Sequence, residues 1–235
     1  MSREWGSGAM QRFGSVLAVL GDGDAPGAIC ALATDVARAD RAALTFVDVI
    51  ADAAVPDSKI AARRDGLAEA VAAADVVGIA ASEALLHGDP AVEVIRMVLR
   101  EGHDLVLVGE GSGAETVARL LADCPCPVWR VGQGRPAGVV ALMPEGDGPE
   151  AAGVTRMAEA LARVLGGVAP AIARGDAEVR VTAQEVLVGL AHEVARAGAA
   201  SVLAIKPEGF VSPVTLEAAP QDKDARIAVR GKAKG

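Results

Sequence analysis

The sequence predicts an α/β protein made of two Rossmann-like, parallel-sheet domains, the second of them truncated. Three observations predict it: short apolar runs of strand length, amphipathic helical stretches between those runs, and a duplicated opening segment. Six runs rich in leucine and β-branched residues read as strands: Ser15–Leu20, Ala43–Ile50, Asp104–Val108, Val128–Val131, Val139–Met143 and Ser201–Ile205. Several are apolar almost throughout, which is the pattern of strands covered by helices on both faces rather than on one.

The helical stretches follow the strands in order. Val92, Ile95 and Leu99 sit at i, i+3 and i+7 behind Pro90, a residue suited to the first turn of a helix. Val117, Leu120 and Leu121 form a second stripe, Met157, Leu161, Val164 and Leu165 a third, and Leu187, Leu190 and Val194 a fourth. Strands that alternate with helices make βα units, and βα units make parallel sheets.

The duplication sets the domain boundaries. SVLAVLGDGDAP at 15–26 and GVVALMPEGDGP at 138–149 share a strand, a glycine-acid turn and a proline at a constant offset of 123. A looser likeness joins 84–108 to 178–205, while most of the segment corresponding to 50–80 is missing from the second copy. The expected domains are 10–132 and a reduced 137–217, joined through 132–138, with a flexible polar tail at 218–235. Met10-Gln11-Arg12-Phe13 reads as a natural start, preceded by residues that include a linker-like Gly6-Ser7-Gly8.

Composition narrows the function. With 51% hydrophobic and 23% charged residues, the chain has the makings of a packed core. Its net charge is −8 and its only rings of the Phe, Trp or Tyr kind are Trp5, Phe13, Phe46, Trp129 and Phe210. Nucleic acid is therefore not an expected partner, for want of a cationic field and of stacking platforms. No apolar run approaches the roughly 18 residues of a membrane span, and no apolar signal core opens the chain, so a cytoplasmic protein without a membrane partner is expected. Cys124 and Cys126 lack the further ligands of a zinc site and read as small apolar residues at a strand start.

Two glycine-rich turns could carry chemistry. Gly21-Asp22-Gly23-Asp24-Ala25-Pro26-Gly27 follows a strand and opens a helix, with Asp48 near the end of the next strand, as in a dinucleotide loop. Asp22 and Asp24 place carboxylates where a pyrophosphate should meet bare amides, so a tight turn capped by Asp24 is the preferred reading over an NAD(P) enzyme. Gly109-Glu110-Gly111-Ser112-Gly113 likewise precedes a helix and could form an anion nest, but no Gly-Lys-Ser/Thr follows and Glu110 and Glu115 are acidic. His87, His103 and His192 fit no hydrolase pattern, and no Gly-x-Ser-x-Gly elbow exists, so catalytic residues are not expected.

The ordered series of motifs resembles the universal stress protein family over most of 10–216. SVLAVLGDGD, LTFVDV, GDPAVEVI from Gly88, GHDLVLVG ending at Gly109, ADCPCPVWRV and IKPEGFVSPVTL carry the likeness, the fifth being similar to that family's Ala-Pro-Cys-Pro-Val closing strand. The resemblance implies an adenine nucleotide alpha hydrolase-like fold with a five-stranded parallel sheet, and dimers formed through the closing strands. Applied to a tandem chain, it pairs Val128–Val131 with Ser212–Leu216. It also implies an ATP-like site with Asp22 and Val47 beside the adenosine, Gly88 nearby, and Gly109, Gly111, Ser112 and Gly113 cradling phosphates.

This chain departs from the family's loop. The second glycine of Gly-x-x-Gly falls on Ser112, the final Gly-Ser/Thr pair has no counterpart, and the aspartate expected at the end of the first strand falls on Gly21. The expectation is a non-enzymatic stress-response protein with no cofactor, acting through a protein partner or self-association. ATP binding, with or without slow hydrolysis, is the alternative, and another small-molecule ligand could fill the same cleft.

Overall fold

The structure, a computed structural model, describes residues 13–21, 26–51, 54–131, 139–143, 171–174, 201–204 and 211–216. Its elements run β1 (Ser15–Leu20), α1 (Pro26–Asp40), β2 (Ala43–Ile50), α2 (Asp57–Val76), β3 (Ala81–His87), α3 (Pro90–Glu101) and β4 (Leu105–Gly109). A one-turn 3-10 helix (Glu110–Ser112) and α4 (Ala114–Asp123) lead to β5 (Val128–Val131), and β6 (Val139–Met143), β7 (Ala171–Arg174) and β8 (Ser201–Ala204) follow. Among the described residues the strands form one sheet in the order β3-β2-β1-β4-β5-β8-β6-β7.

The first five strands are parallel to one another, as the continuous apolar runs predict. Along β1 the side chains divide by alternation. Val16, Ala18 and Leu20 join the core beneath α1 and α2, which also holds Phe46, Leu107 and Trp129. Leu17 and Val19 face the opposite core, where Val47, Val106 and Val108 meet Val94, Ile95, Leu120 and Leu121 of α3 and α4. Both faces are dry.

Helix α3 starts as predicted behind Pro90, with the Asp89 side chain accepting a hydrogen bond from the Val92 amide at 3.0 Å and Gly102 closing it in a left-handed conformation, φ 74°. Its buried stripe is Ala91, Val94, Ile95 and Val98, with Met97 beside it. Val92 and Leu99, expected in that stripe, lie at its half-buried margins. The fourth strand begins at Leu105, not Asp104. The Asp104 carboxylate is turned sideways to accept the amides of Gly14 at 2.7 Å and Ser15 at 3.0 Å, tying the start of β1 to β4.

The closing-strand expectation is corrected by the sheet. Ser212–Leu216 forms no strand, and β5 pairs instead with β8 in antiparallel register, Trp129 opposite Leu203. Pro213 has no amide to give a ladder, and the Ser212 hydroxyl accepts the Val214 amide at 3.2 Å, bending the chain locally. The segment crosses α3, where Val214 packs on the core beside Leu86 and Leu99 and the Arg96 Nε donates to the Thr215 carbonyl at 3.5 Å. Strands β6 and β8 match the predicted runs, while β7 was not anticipated. The helices expected around 157–165 and 187–194, the Asp24 cap and the tail lie outside the described residues.

Below the strand starts, His103 is buried with its Nδ1 2.8 Å from the Ser15 hydroxyl oxygen and its Nε2 3.6 Å from a Glu101 carboxylate oxygen. Burial lowers its pKa, although the carboxylates of Glu101 and Asp104 act in the other direction. A base whose folded pKa is depressed binds fewer protons folded than unfolded, so its stabilising effect is complete above the unfolded value of about 6.5 and is lost as pH falls below it. Melting temperature should therefore drop between pH 7.5 and pH 5.5, and His103→Gln should flatten that part of the profile in thermal melts.

Candidate functional site

Strands β1, β2 and β3 build outward in one direction, and the chain then returns to place β4 on the other side of β1. The crevice at the carboxyl ends of β1 and β4 is thus the switch point at which sheets of this type hold ligands. Gly21 leaves β1 there, and Gly109 leaves β4. The turn 109–113 expected to cradle phosphates is at this point, and Asp22 lies outside the described residues.

At the end of β1 the backbone of the 3-10 turn packs directly against Gly21. A Cβ on Gly21 would lie 2.3 Å from the Gly111 carbonyl carbon and 2.3 Å from the Ser112 nitrogen, a separation no side chain tolerates. Only glycine at 21 lets the 3-10 turn seat this closely against the end of β1. The Ser112 hydroxyl is buried and has no hydrogen-bond partner among the described residues. Gly113, at φ 82°, begins α4 without a side-chain cap, so the first amides of that helix meet no carboxylate or hydroxyl from the cap residue.

The other expected site residues are spread along the same edge. Val47 is fully buried in β2, between Val19 and Ala84, and its side chain offers no surface to a ligand. Gly88 follows β3 at φ 131°, its amide donating to the Ile50 carbonyl at 3.0 Å. Asp48, weighed as a ribose partner for a dinucleotide, is buried and engaged: Arg63 of α2 reaches its carboxylate at 2.8 Å and the Val49 amide donates to the same oxygen at 2.7 Å. Its role is to hold α2 on the sheet.

Two features at this edge escape a reading of sequence alone. Arg119, one turn from the end of α4's amphipathic stripe, forms a 2.6 Å ion pair with Asp89 at the start of α3. Partial burial pushes the Asp89 carboxyl up, but the Val92 amide and the Arg119 guanidinium outweigh it and leave the pKa below its ordinary value. The pair links the N-terminus of α3 to α4. No spacing rule links 89 to 119. The Gly21 contact had a signal in the sequence, glycine where an aspartate was expected, though not its meaning. Among the described residues no group of three or more His, Cys, Asp or Glu side chains could hold a metal ion, and no helix is long and apolar enough to cross a membrane.

Solved structures share this architecture. A functionally unknown protein from Pseudomonas aeruginosa is 18% identical, with a TM-score of 0.59 over 85% of this chain and 95% of its own. A second protein from that organism, assigned to the universal stress proteins, is 17% identical, with a TM-score of 0.60 over 86% of this chain and 96% of its own. The chain has the universal stress protein fold. A universal stress protein from Archaeoglobus fulgidus aligns at 14% identity, with a TM-score of 0.54 over 82% of this chain and 96% of its own. No protein-family model matches the sequence, and no curated protein matches it. The likeness to the universal stress protein fold therefore lies in architecture far more than in residues.

The packing of the two turns can be tested at Gly21. Gly21→Ala should destabilise the protein by about 1–3 kcal/mol, the cost of overpacking a filled site. Gly27→Ala, on the exposed face of α1 with open space around its Cβ, should be neutral or stabilising by up to about 1 kcal/mol. Urea denaturation of the two variants measures the difference.

Proposed function

We propose that this protein is a universal stress protein that acts in the stress response through contacts with other proteins, without catalysis and without a bound nucleotide. The observation that supports the reading is the seating of Gly111 and Ser112 on Gly21, in the turn that the family resemblance assigns to phosphates. The sequence of the turn is also acidic, with Glu110 within it and Glu115 in the first turn of α4, and like charge disfavours a triphosphate nearby. Asp48 and Asp89 are occupied by Arg63 and Arg119, which removes two carboxylates from any catalytic role at this edge.

The tandem organisation belongs to the same proposal. The structural matches extend over 82–86% of the chain, well beyond β5, and strands β6, β7 and β8 repeat the relation of β1, β2 and β4. A first domain at 10–132 and a reduced second domain at 137–217 fit that repetition. Work in the cytoplasm belongs to the same proposal.

A second reading, ATP binding at Gly109, Gly111, Ser112 and Gly113, is favoured by the unpartnered Ser112 hydroxyl and the uncapped N-terminus of α4. A titration separates the two. A ligand at 100 times its Kd stabilises a protein by about 2.7 kcal/mol, a shift of several degrees that scanning fluorimetry detects. ATP with Mg2+ should give neither calorimetric heat nor a rise in Tm. A saturating rise would overturn the contact-protein reading, and in that case Gly111→Asp should abolish it by adding charge and bulk at the phosphates.

A further inference from the structure

The turn between α4 and β5 carries a feature that the proposed function does not use. Cys124 caps the end of α4 and Cys126 stands two residues on, each immediately before a proline. A residue preceding proline is driven out of the helical region, and Cys124 is accordingly extended at φ −68°, ψ 132°. Pro125 thus ends α4, and the extended chain that results brings two side chains of the same kind together. The Cys124 and Cys126 sulfurs are 3.6 Å apart. Both are reduced, and both are buried in the core under α3 and α4.

We propose that Cys124 and Cys126 form a reversible disulfide on exposure to peroxides, making this turn a redox modification site. Cys126 is 7% exposed and Cys124 fully buried, so the sequence of steps begins at Cys126. Its thiolate attacks one peroxide oxygen, the O–O bond breaks, and the hydroxide released takes up the proton that Cys126 gave up. The Cys126 sulfenic acid and one water result. The Cys124 sulfur then attacks the sulfenic sulfur; the S–S bond forms, the S–O bond breaks, and the hydroxyl leaves with the Cys124 proton as a second water. Two thiols are oxidised and one peroxide is reduced to two waters.

The approach required is small. The sulfurs close from 3.6 Å to the roughly 2.05 Å of a disulfide, within a turn that Pro125 and Pro127 already restrict. The contact with Cys124, and then burial, push the Cys126 thiol well above its ordinary pKa. The resting pair is therefore held as thiols near neutral pH, and oxidation is slow until the oxidant is abundant or the pH is raised. Cys30 is a built-in control: it is 8% exposed, comparable to Cys126, but sits in the other core, on the opposite face of the sheet.

Trypsin supplies the assay, because cleavage after Arg119 and Arg130 releases both cysteines in one peptide, while Cys30 falls in the peptide between Arg12 and Arg38. The full chain is treated with hydrogen peroxide at mildly alkaline pH, blocked with iodoacetamide and digested for mass spectrometry. The peptide 120–130 should lose two hydrogens, take up no alkyl group, and regain two alkylatable thiols after dithiothreitol. The Cys30 peptide should still take one alkyl group or carry added oxygen. In Cys124→Ala, a substitution that leaves no polar group buried, the reversible product should vanish and Cys126 should gain oxygen instead. Recovery of the wild-type peptide with two alkyl groups, or with added oxygen in place of the two-hydrogen loss, would overturn the proposal. So would a two-hydrogen loss seen only after denaturation.

Discussion

A sheet covered on both faces is the constraint from which the rest of this structure follows. Because β1 and β4 meet helices above and below, nearly every side chain on them must be apolar, and only their ends can present polar groups. Three of the carboxylates near the ends of these elements are put to structural use. Asp104 ties the amides that open β1, Asp48 anchors α2 through Arg63, and Asp89 caps α3 while holding α4 through Arg119. The charged rim that a reader of the sequence might assign to chemistry is here the fastening of helices to a dry sheet.

Much of the first half was legible because its signals are local. Continuous apolar runs marked β1, β2 and β5 to the residue, and Pro90 with Asp89 marked the start of α3. Other elements were not legible, for physical reasons that can be named. Helix α2 buries only Leu67, Ala70 and Ala74 along its length, so its amphipathic stripe is faint against an alanine-rich background. Ser212–Leu216 carries the composition of a strand, and only Pro213 argues against it. The partner of β5 could not be read at all, since antiparallel pairing with β8 is a long-range choice that no local pattern encodes.

The neighbourhood of the two glycine turns was legible, and their packing was not. Glycines after β1 and β4 pointed to the switch point, and the structure puts both turns there. What the sequence withheld is that the two turns touch. Substituting glycine for a side chain at the end of β1 does more than delete a ligand contact; it opens space that the backbone at 111–112 then occupies. The architectural match to a universal stress protein at 17% identity shows how much of a fold can be shared with few residues in common.

The seam between β5 and β8 reverses the direction of the sheet partway across. Strands β1 to β5 point one way and β6 to β8 the other, so their carboxyl ends emerge on opposite rims of a single slab. The change of side in strand order falls between β1 and β4 in one half and between β6 and β8 in the other. Whatever the chain carries past the ends of β1 and β4 therefore faces away from whatever it carries past the ends of β6 and β8.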